Sequence, residues 1–222
     1  MELESVDLAV RGRIVTMDED RTVIDDGMVV SRAGRILAVG PRQEIASRYR
    51  CDQVTGDAHS IIMPGFIDAH THCTQCFVRS LTSGELPMIP RIYSPAQRSL
   101  NPEQAATTVR LIAAQLLRSG ITTMCEGTLN PAHEPAIVQA IEETGIRCVM
   151  ARGAADQDFH HAALYSQITD RSWYKARESQ AEKELIATEA FLQRHPARGD
   201  ALIRGAVNVS ALLNFSEAYF KG

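Results

Sequence analysis

The stretch IIMPGFIDAHTHCTQC, residues 61–76, joins an apolar run to a Pro-Gly break and then places two histidines two residues apart. Successive side chains of a β-strand point to opposite faces, so His70 and His72 share one face of an extended segment while Thr71 points away. Two neutral imidazoles on one face can bind the same divalent cation at about 2.0–2.1 Å each. The spacing therefore makes His70 and His72 candidate metal ligands, with Asp68 on the same face to accept a ring N–H, although a pair of half-buried polar histidines would show the same spacing.

Downstream of this stretch, helical and extended patterns alternate. A capping-box pattern at Asn101 predicts the start of a helix, and Gly120 predicts its end. Extended segments follow at ITTMC, IRCVMARG and ALIRGAVNVS, separated by helices at EPAIVQAIEETG and at about residues 173–194. The alternation predicts an α/β fold with a parallel sheet, either a barrel or a doubly wound sheet. The helix after Asn101 is predicted to bury Ala105, Val109, Ile112, Leu116 and Leu117.

Upstream, residues 1–58 have the pattern of short strands separated by turns. The segments VDLAVRGRIVTM and GMVVSRAGRILAVG alternate apolar and polar residues at period two, which is typical of half-buried strands. Residues 25–27, with Gly27, are predicted to form one hairpin turn and Gly34 another, because such turns favour glycine at positive φ. The segment is therefore predicted to be a small β-sandwich-like unit.

The composition is that of an ordinary globular protein, with 222 residues of which 45% are hydrophobic and 23% charged. The 23 basic and 27 acidic residues leave a net charge of −4 without a block of one sign, which argues against nucleic acid or a membrane as a partner. An acidic N-terminus and the lack of an apolar run of membrane-spanning length predict a cytoplasmic protein. Five cysteines, an odd number, favour reduced thiols.

Other potential metal ligands have weaker patterns. His133, His160 and His161 follow predicted strands and are predicted to be solvated loop histidines. His195 lies at a predicted helix end, where a cationic side chain suits the helix dipole. The CxxC motif at residues 73–76 has the spacing of half a zinc site, but the chain has no second such motif. Its two cysteines are therefore predicted to be half-buried thiols.

The segment PGFIDAHTH, together with the strand-rich leader at residues 7–40, resembles the amidohydrolase superfamily of metal-dependent hydrolases. Within that superfamily, HTHCTQCFVRSL at residues 70–81 is most similar to the branch of triazine hydrolases and guanine and cytosine deaminases. The resemblance implies that residues 59–222 are the first half of a (β/α)8 TIM-type barrel. Residues 1–58 would then be an incomplete composite domain.

For the site, the resemblance implies metal binding by His70 and His72, and substrate orientation by Gln75 and Arg79. One divalent ion is expected, Zn²⁺ or alternatively Fe²⁺, since imidazole suits either. Binuclear members of the superfamily use a lysine on the fourth strand, and ALIRGAVNVS contains none. The implied chemistry is attack by a metal-activated water on an sp² carbon that carries a leaving group.

The family pattern also contains residues that this chain lacks. It has further histidines on the fifth and sixth strands, an aspartate on the eighth and a deaminase glutamate, so the catalytic acid–base residues are expected beyond residue 222. The implied activity is hydrolytic deamination of a small nitrogen heterocycle, such as a purine, pyrimidine, triazine or pterin-like compound, by a homo-oligomeric full-length protein. Two alternatives stay open: a cyclic-amide or N-acyl amidohydrolase, and a truncated non-catalytic fragment or interaction subunit.

Overall fold

The computed structural model describes residues 3–81, 92–153, 180–209 and 216–221. These residues belong to two compact units, Met1–Gly65 and Phe66–Gly222. The sequence predicts the domain boundary after residue 58 and a break at the Pro-Gly pair; in the structure the division between the two compact units falls after Gly65, with separate strands on either side of this pair. Proline has no N–H to donate to a sheet and glycine weakens a strand, so one strand ends there before the next begins.

The first unit contains a five-stranded sheet of mixed direction and a separate two-stranded parallel sheet. Its elements are, in chain order, β1 (Glu4–Ser5), β2 (Leu8–Val15), β3 (Val23–Arg32), β4 (Arg35–Pro41), α1 (Arg42–Ala46), β5 (Tyr49–Arg50), β6 (Val54–Thr55) and β7 (Ile61–Ile62). Strands β2, β3 and β4 pair antiparallel in chain order, and β6 and β7 each pair parallel to β2. The predicted strands are confirmed, and their buried face forms a core of Val6, Ala9, Met28, Val30 and Ile45.

The turn predicted at residues 25–27 is wrong, because these residues lie inside β3 and Gly27 does not have a positive φ. Gly27 pairs with Gly12 across the ladder, and a Cβ at Gly27 would collide with the side chain of Ile14. This glycine therefore permits close packing between two strands. The prediction for Gly34 is confirmed, since it has a φ of +74° between β3 and β4.

The second unit is a parallel sheet with helices between its strands. Its elements are, in chain order, β8 (Phe66–Thr71), a 3-10 helix (Cys73–Leu81), α2 (Ser94–Ser99), α3 (Pro102–Arg118), β9 (Ile121–Leu129), a 3-10 helix (Pro131–His133), α4 (Glu134–Thr144), β10 (Arg147–Gly153), α5 (Ala181–Arg194), β11 (Ile203–Asn208) and α6 (Glu217–Lys221). The strands are all parallel and lie in chain order, β8-β9-β10-β11. The predicted alternation is confirmed, and residues 173–179 of the predicted last helix lie outside the described residues.

Helix α3 begins and ends where the sequence predicts. The Asn101 side chain accepts the backbone N–H of Gln104 at 2.9 Å, the Gln104 side chain accepts that of Asn101 at 3.0 Å, and Gly120 closes the helix at a φ of +80°. Of the predicted apolar face, Ala105 and Val109 are buried and Ile112 and Leu116 pack against the core, whereas Leu117 is 40% exposed. Small side chains let this helix lie close to its neighbours. The buried apolar residues of α3 are Ala105, Ala106, Val109 and Ala113.

The core of the second unit is formed by side chains of the strands and of α3, α4 and α5. Met124 of β9, Met150 of β10 and Phe191 of α5 are fully buried in it. The other face of the same sheet carries His70 and His72. The helices that cover the core have one buried and one exposed side, and none in the described part of the chain is long and apolar enough to cross a membrane.

Candidate metal centre

His70 and His72 lie at the carboxyl end of β8. Their Nε2 atoms are 2.9 Å apart, and their rings meet edge to face at 86° with centroids 4.7 Å apart. Thr71, between them, is buried, as expected for a side chain on the opposite face of the strand. The structure therefore brings together the two histidines that the sequence pattern singles out.

Two imidazole nitrogens at this separation suit a single metal ion. Each neutral ring offers one lone pair, and zinc binds imidazole nitrogen at about 2.0–2.1 Å, so one ion can reach both Nε2 atoms. Within residues 3–81, 92–153, 180–209 and 216–221, no group of three or more His, Cys, Asp or Glu side chains is arranged to hold a metal. As metal ligands, the two histidines would therefore form only a partial set within the described residues.

A cavity of about 350 Å³ opens beside the two histidines. It lies towards the carboxyl ends of the parallel strands, which is the edge at which α/β proteins bind their ligands. Its volume falls in the range of small-molecule sites. Residues from all four strands line it: Ala69, His70, His72, Cys125, Gly127, Ala151, Ala206, Val207 and Asn208.

The protonation state of His72 depends mainly on its burial. Burial lowers the pKa of His72 below its ordinary value, because the imidazolium form loses hydration. The Glu126 carboxylate opposes this effect, and the nearby His70 adds to it. The net result is a lowered pKa, so His72 is neutral at physiological pH, which is the form that binds a metal ion.

Sequence reasoning misses Glu126, which holds the chain directly after His72. Glu126 is only 2% exposed, and its Oε2 accepts the backbone N–H of Cys73 at 2.7 Å. The one available signal is an acidic residue at the end of the apolar strand ITTMCEG, where strand parity puts it on the same face as the buried Met124. Its partner on β8 depends on how the two strands pair, which no local pattern predicts.

Sequence reasoning also misses Asn208 and Gly127. The Asn208 side chain, at the end of β11, donates a hydrogen bond to the backbone carbonyl of Gly127 on β9. A Cβ at Gly127 would stand 3.3 Å from Cε1 of His72, which is tighter than ordinary packing. The absence of a side chain at Gly127 therefore lets the His72 ring lie against β9, and Asn208 shares the cavity wall with both residues.

Three further predicted site residues lie near the histidines in the chain but do not line the cavity. The Asp68 carboxylate accepts the backbone N–H of His70 at 3.1 Å, where the sequence predicts a ring N–H. Gln75 and Arg79 both lie on the 3-10 helix after His72. Gln75 is half-buried and its backbone N–H donates to the His72 carbonyl at 3.1 Å, whereas Arg79 is exposed. Their role in substrate orientation stays a prediction.

Two of the remaining histidines, His133 and His195, pack or bond within the fold. His133 is only 6% exposed, so the predicted solvated loop histidine is wrong, because its short 3-10 helix packs against α3 and α4. His195 follows α5, as predicted, and its Nε2 lies 3.0 Å from a carboxylate oxygen of Glu134. His160 and His161 lie outside the described residues.

All five cysteines are free, which agrees with the predicted reduced thiols. Cys73 is fully buried and Cys76 is half-buried. Burial raises the pKa of Cys73 and of Cys148, for Cys148 to about 12. Thiols that stay protonated at neutral pH are poor metal ligands and poor nucleophiles. This chemistry argues against a zinc or redox role for the CxxC motif.

The described residues thus form a parallel α/β sheet with a histidine pair and a ligand-sized cavity at the carboxyl ends of its strands, which is where α/β proteins bind their ligands. The sequence profile of the Amidohydrolase family matches residues 61–211, which is most of the chain. The chain therefore belongs to the amidohydrolase family. The resemblance predicted from PGFIDAHTH is confirmed.

Individual relatives agree with this assignment. A 5-methylthioadenosine/S-adenosylhomocysteine deaminase from Syntrophobacter fumaroxidans is 30% identical over 207 residues, which cover 92% of this chain and 42% of that protein. An adenosine deaminase from Xanthomonas campestris, solved with bound zinc, has a TM-score of 0.71 at 20% identity, over 93% of this chain and 43% of its own. A triazine hydrolase variant has a TM-score of 0.74 at 17% identity, over 96% and 48%. The chain thus spans less than half the length of each protein, and the two solved structures share its fold.

Proposed function

We propose that this chain is part of a metal-dependent hydrolase of carbon–nitrogen bonds, and specifically of a deaminase that acts on a nitrogen heterocycle. The observation that carries the proposal is the pair of Nε2 atoms of His70 and His72, 2.9 Å apart beside a cavity of about 350 Å³, in a member of the amidohydrolase family. Relatives named as deaminases of adenosine compounds favour a purine nucleoside-like substrate over a pyrimidine, triazine or pterin.

We also infer that strands β8 to β11 are the first half of a (β/α)8 barrel. The strands are parallel and lie in chain order, without the reversal of order that defines a doubly wound sheet. The chain matches 43% and 48% of the two solved structures described above, which is close to half of each. In a barrel, side chains at the carboxyl ends of different strands converge on one site, which agrees with the positions of His72 and Asn208.

In this proposal, His70 and His72 hold one divalent ion, which we assign as Zn²⁺, with Fe²⁺ as the alternative. The bound zinc of the similar adenosine deaminase supports this assignment. When bound, such an ion supplies the Lewis acidity that turns water into a nucleophile near neutral pH. The lowered pKa of His72 keeps its lone pair available over that range. Gln75 and Arg79, on the helix that follows, would orient the substrate.

Metal-dependent release of ammonia tests the proposal. The protein is expressed from its complete reading frame, stripped with a chelator and reloaded with Zn²⁺ or Fe²⁺. It is then assayed with 5-methylthioadenosine, S-adenosylhomocysteine, adenosine, guanine, cytosine, a triazine and a pterin. We expect ammonia release from an adenosine compound that stops on stripping and returns on reloading. A metal-loaded protein that releases no ammonia from any of these compounds would contradict the proposed deaminase.

The same assay separates the two alternatives. Ring opening of a cyclic amide, or removal of an N-acyl group, without ammonia release would identify the other kind of amidohydrolase chemistry. Binding of a substrate without turnover, in a protein that retains its metal, would identify a non-catalytic binding or interaction subunit.

A further inference from the structure

Glu126 is a buried acid with an uncommon position. It ends the run ITTMCE in β9 and is 2% exposed, although transfer of an isolated carboxylate from water into a protein costs several kcal/mol. Such a residue persists when its hydrogen bonds compensate for the lost hydration. The short bond of 2.7 Å from the Cys73 backbone N–H to Oε2 of Glu126 is one such compensation.

The contacts of Glu126 fall on both sides of His72. The backbone of Glu126 is the register partner of Thr71 in the pairing of β8 with β9. Its side chain accepts the backbone N–H of Cys73. His72 therefore lies between two residues that the same glutamate holds, one through the sheet and one through the carboxylate. This arrangement restricts the backbone from which the His72 imidazole projects.

The length of this hydrogen bond supports the same role. A donor–acceptor distance of 2.7 Å is short for an N–H donor, and hydrogen bonds to a carboxylate are shorter and stronger than those between neutral groups. Such a bond to the Cys73 N–H holds the chain at His72 more firmly than a neutral acceptor would. The geometry thus favours a His72 side chain that is held ready to bind a metal ion.

We propose that Glu126 is a positioning residue of the metal centre, which fixes the backbone on both sides of His72 and so holds its imidazole in the metal-binding orientation. The inference rests on the proposed function, since it assumes that His70 and His72 bind the metal. Glu126 is assigned no contact with the substrate or with the metal. It acts only through His72.

The test compares the metal affinity of two Glu126 variants with that of one matched control variant. Glu126→Gln keeps an acceptor oxygen but removes the charge, and Glu126→Ala removes both. Glu134→Gln is the control, because Glu134 is a second buried acid of the same unit, but it bonds to Arg194 and His195 instead of the chain at His72. The dissociation constant for Zn²⁺ is measured by chelator competition in the full-length protein, and metal-free stability by urea unfolding.

We expect Glu126→Ala to weaken Zn²⁺ binding by about 10- to 100-fold, and Glu126→Gln by about 10-fold, which are typical losses when the partner of a metal-ligating histidine is changed. Glu134→Gln should keep the wild-type affinity even where it lowers stability. The visible absorption of Co²⁺ in the same site should change for the Glu126 variants and stay unchanged for Glu134→Gln, because only the former alter the orientation of a ligand.

The outcomes distinguish this inference from the proposed function. If the wild-type protein binds no Zn²⁺, the proposed metal centre is wrong, and this inference is wrong as well. Wild-type metal binding together with unchanged affinity in Glu126→Gln and Glu126→Ala would overturn the role of Glu126 alone. If Glu126→Ala does not unfold cooperatively, Glu126→Gln decides, and wild-type affinity in that variant overturns the inference.

Discussion

In the described part of the parallel-sheet unit, two polar clusters contain histidine, and they differ in what their side chains face. Glu134, at the start of α4, bonds to Arg194 through two hydrogen bonds of 2.9 Å, and His195 lies 3.0 Å from the same carboxylate. His70 and His72 instead meet each other at 2.9 Å beside a cavity. The first cluster uses its bonding capacity to join two helices. The second presents two imidazoles to a space that a ligand can enter.

In both clusters the pKa of a side chain is lowered, but the causes and the consequences differ. Burial of Glu134 by itself raises its pKa, but the hydrogen bonds from Arg194 and His195 outweigh burial, and the net pKa of Glu134 is lowered. The pKa of His72 is lowered as well, chiefly because it is buried. A charged carboxylate that pairs with a guanidinium group stabilises the fold, whereas a neutral imidazole with a lone pair can bind a metal. The role of a histidine in this fold therefore follows from its partners.

The comparison predicts that changes to apolar core residues, and to the cluster of Glu134, Arg194 and His195, reduce stability without weakening metal binding. The largest such effect is expected for Phe191→Ala, since Phe191 is fully buried and packs against the ring of His195. Its loss should lower the free energy of unfolding by about 3–5 kcal/mol, measured by urea unfolding of the metal-free protein. A parallel loss of Zn²⁺ affinity in folded protein would show that the two sides of the sheet are coupled.

A smaller effect is expected for Glu134→Gln, which leaves Arg194 and His195 without their carboxylate. The substitution should lower the free energy of unfolding by about 2 kcal/mol at neutral pH. Because the pKa of Glu134 is lowered from its ordinary value of 4.5, its contribution is complete above that value and disappears as the pH falls through the lower folded-state pKa.

The pH dependence provides the check on this second prediction. The stability difference between wild type and Glu134→Gln should be constant above about pH 5.5 and should shrink steadily as the solution is acidified below pH 4.5. Urea unfolding at several pH values measures it. A difference that stays the same down to pH 3 would mean that the carboxylate charge does not stabilise the helix pair.

The smallest effect is expected for the cap of α3. Asn101→Ala removes the acceptor for the Gln104 backbone N–H and should lower the free energy of unfolding by about 1 kcal/mol. Asn101→Asp keeps an acceptor at the same place and adds a negative charge at the helix start, so its stability should match or exceed that of wild type. Equal stability of the alanine and aspartate variants would contradict the capping role.

Local signals predicted the parts of this fold that depend on neighbouring residues. The two-residue period of a strand puts His70 and His72 on one face. Two side chains three positions apart, Asn101 and Gln104, define the capping box of α3. The alternation of strands and helices likewise predicted a parallel sheet. For the histidine pair and the capping box, the relevant partners lie within a few positions of each other, and each strand or helix of the alternation is recognised from its own local pattern.

The features that were missed depend on how distant segments pair. Glu126 meets Cys73 only because β9 lies beside β8, and the residues are 53 positions apart. Asn208 meets Gly127 across 81 positions. Gly27 looks like a turn residue locally, but its smallness accommodates Ile14 on the neighbouring strand. Register and packing between segments therefore limit what the sequence alone can predict.

Metal stoichiometry tests the central claim most directly. Bound zinc and iron are measured in the full-length wild type and in the double variant His70→Ala/His72→Ala. The control is His195→Ala, from the cluster of Glu134, Arg194 and His195. We predict one divalent ion per chain in the wild type and in His195→Ala, and none in the double variant. Stoichiometric metal in folded His70→Ala/His72→Ala protein would contradict the assignment of this histidine pair as the metal centre.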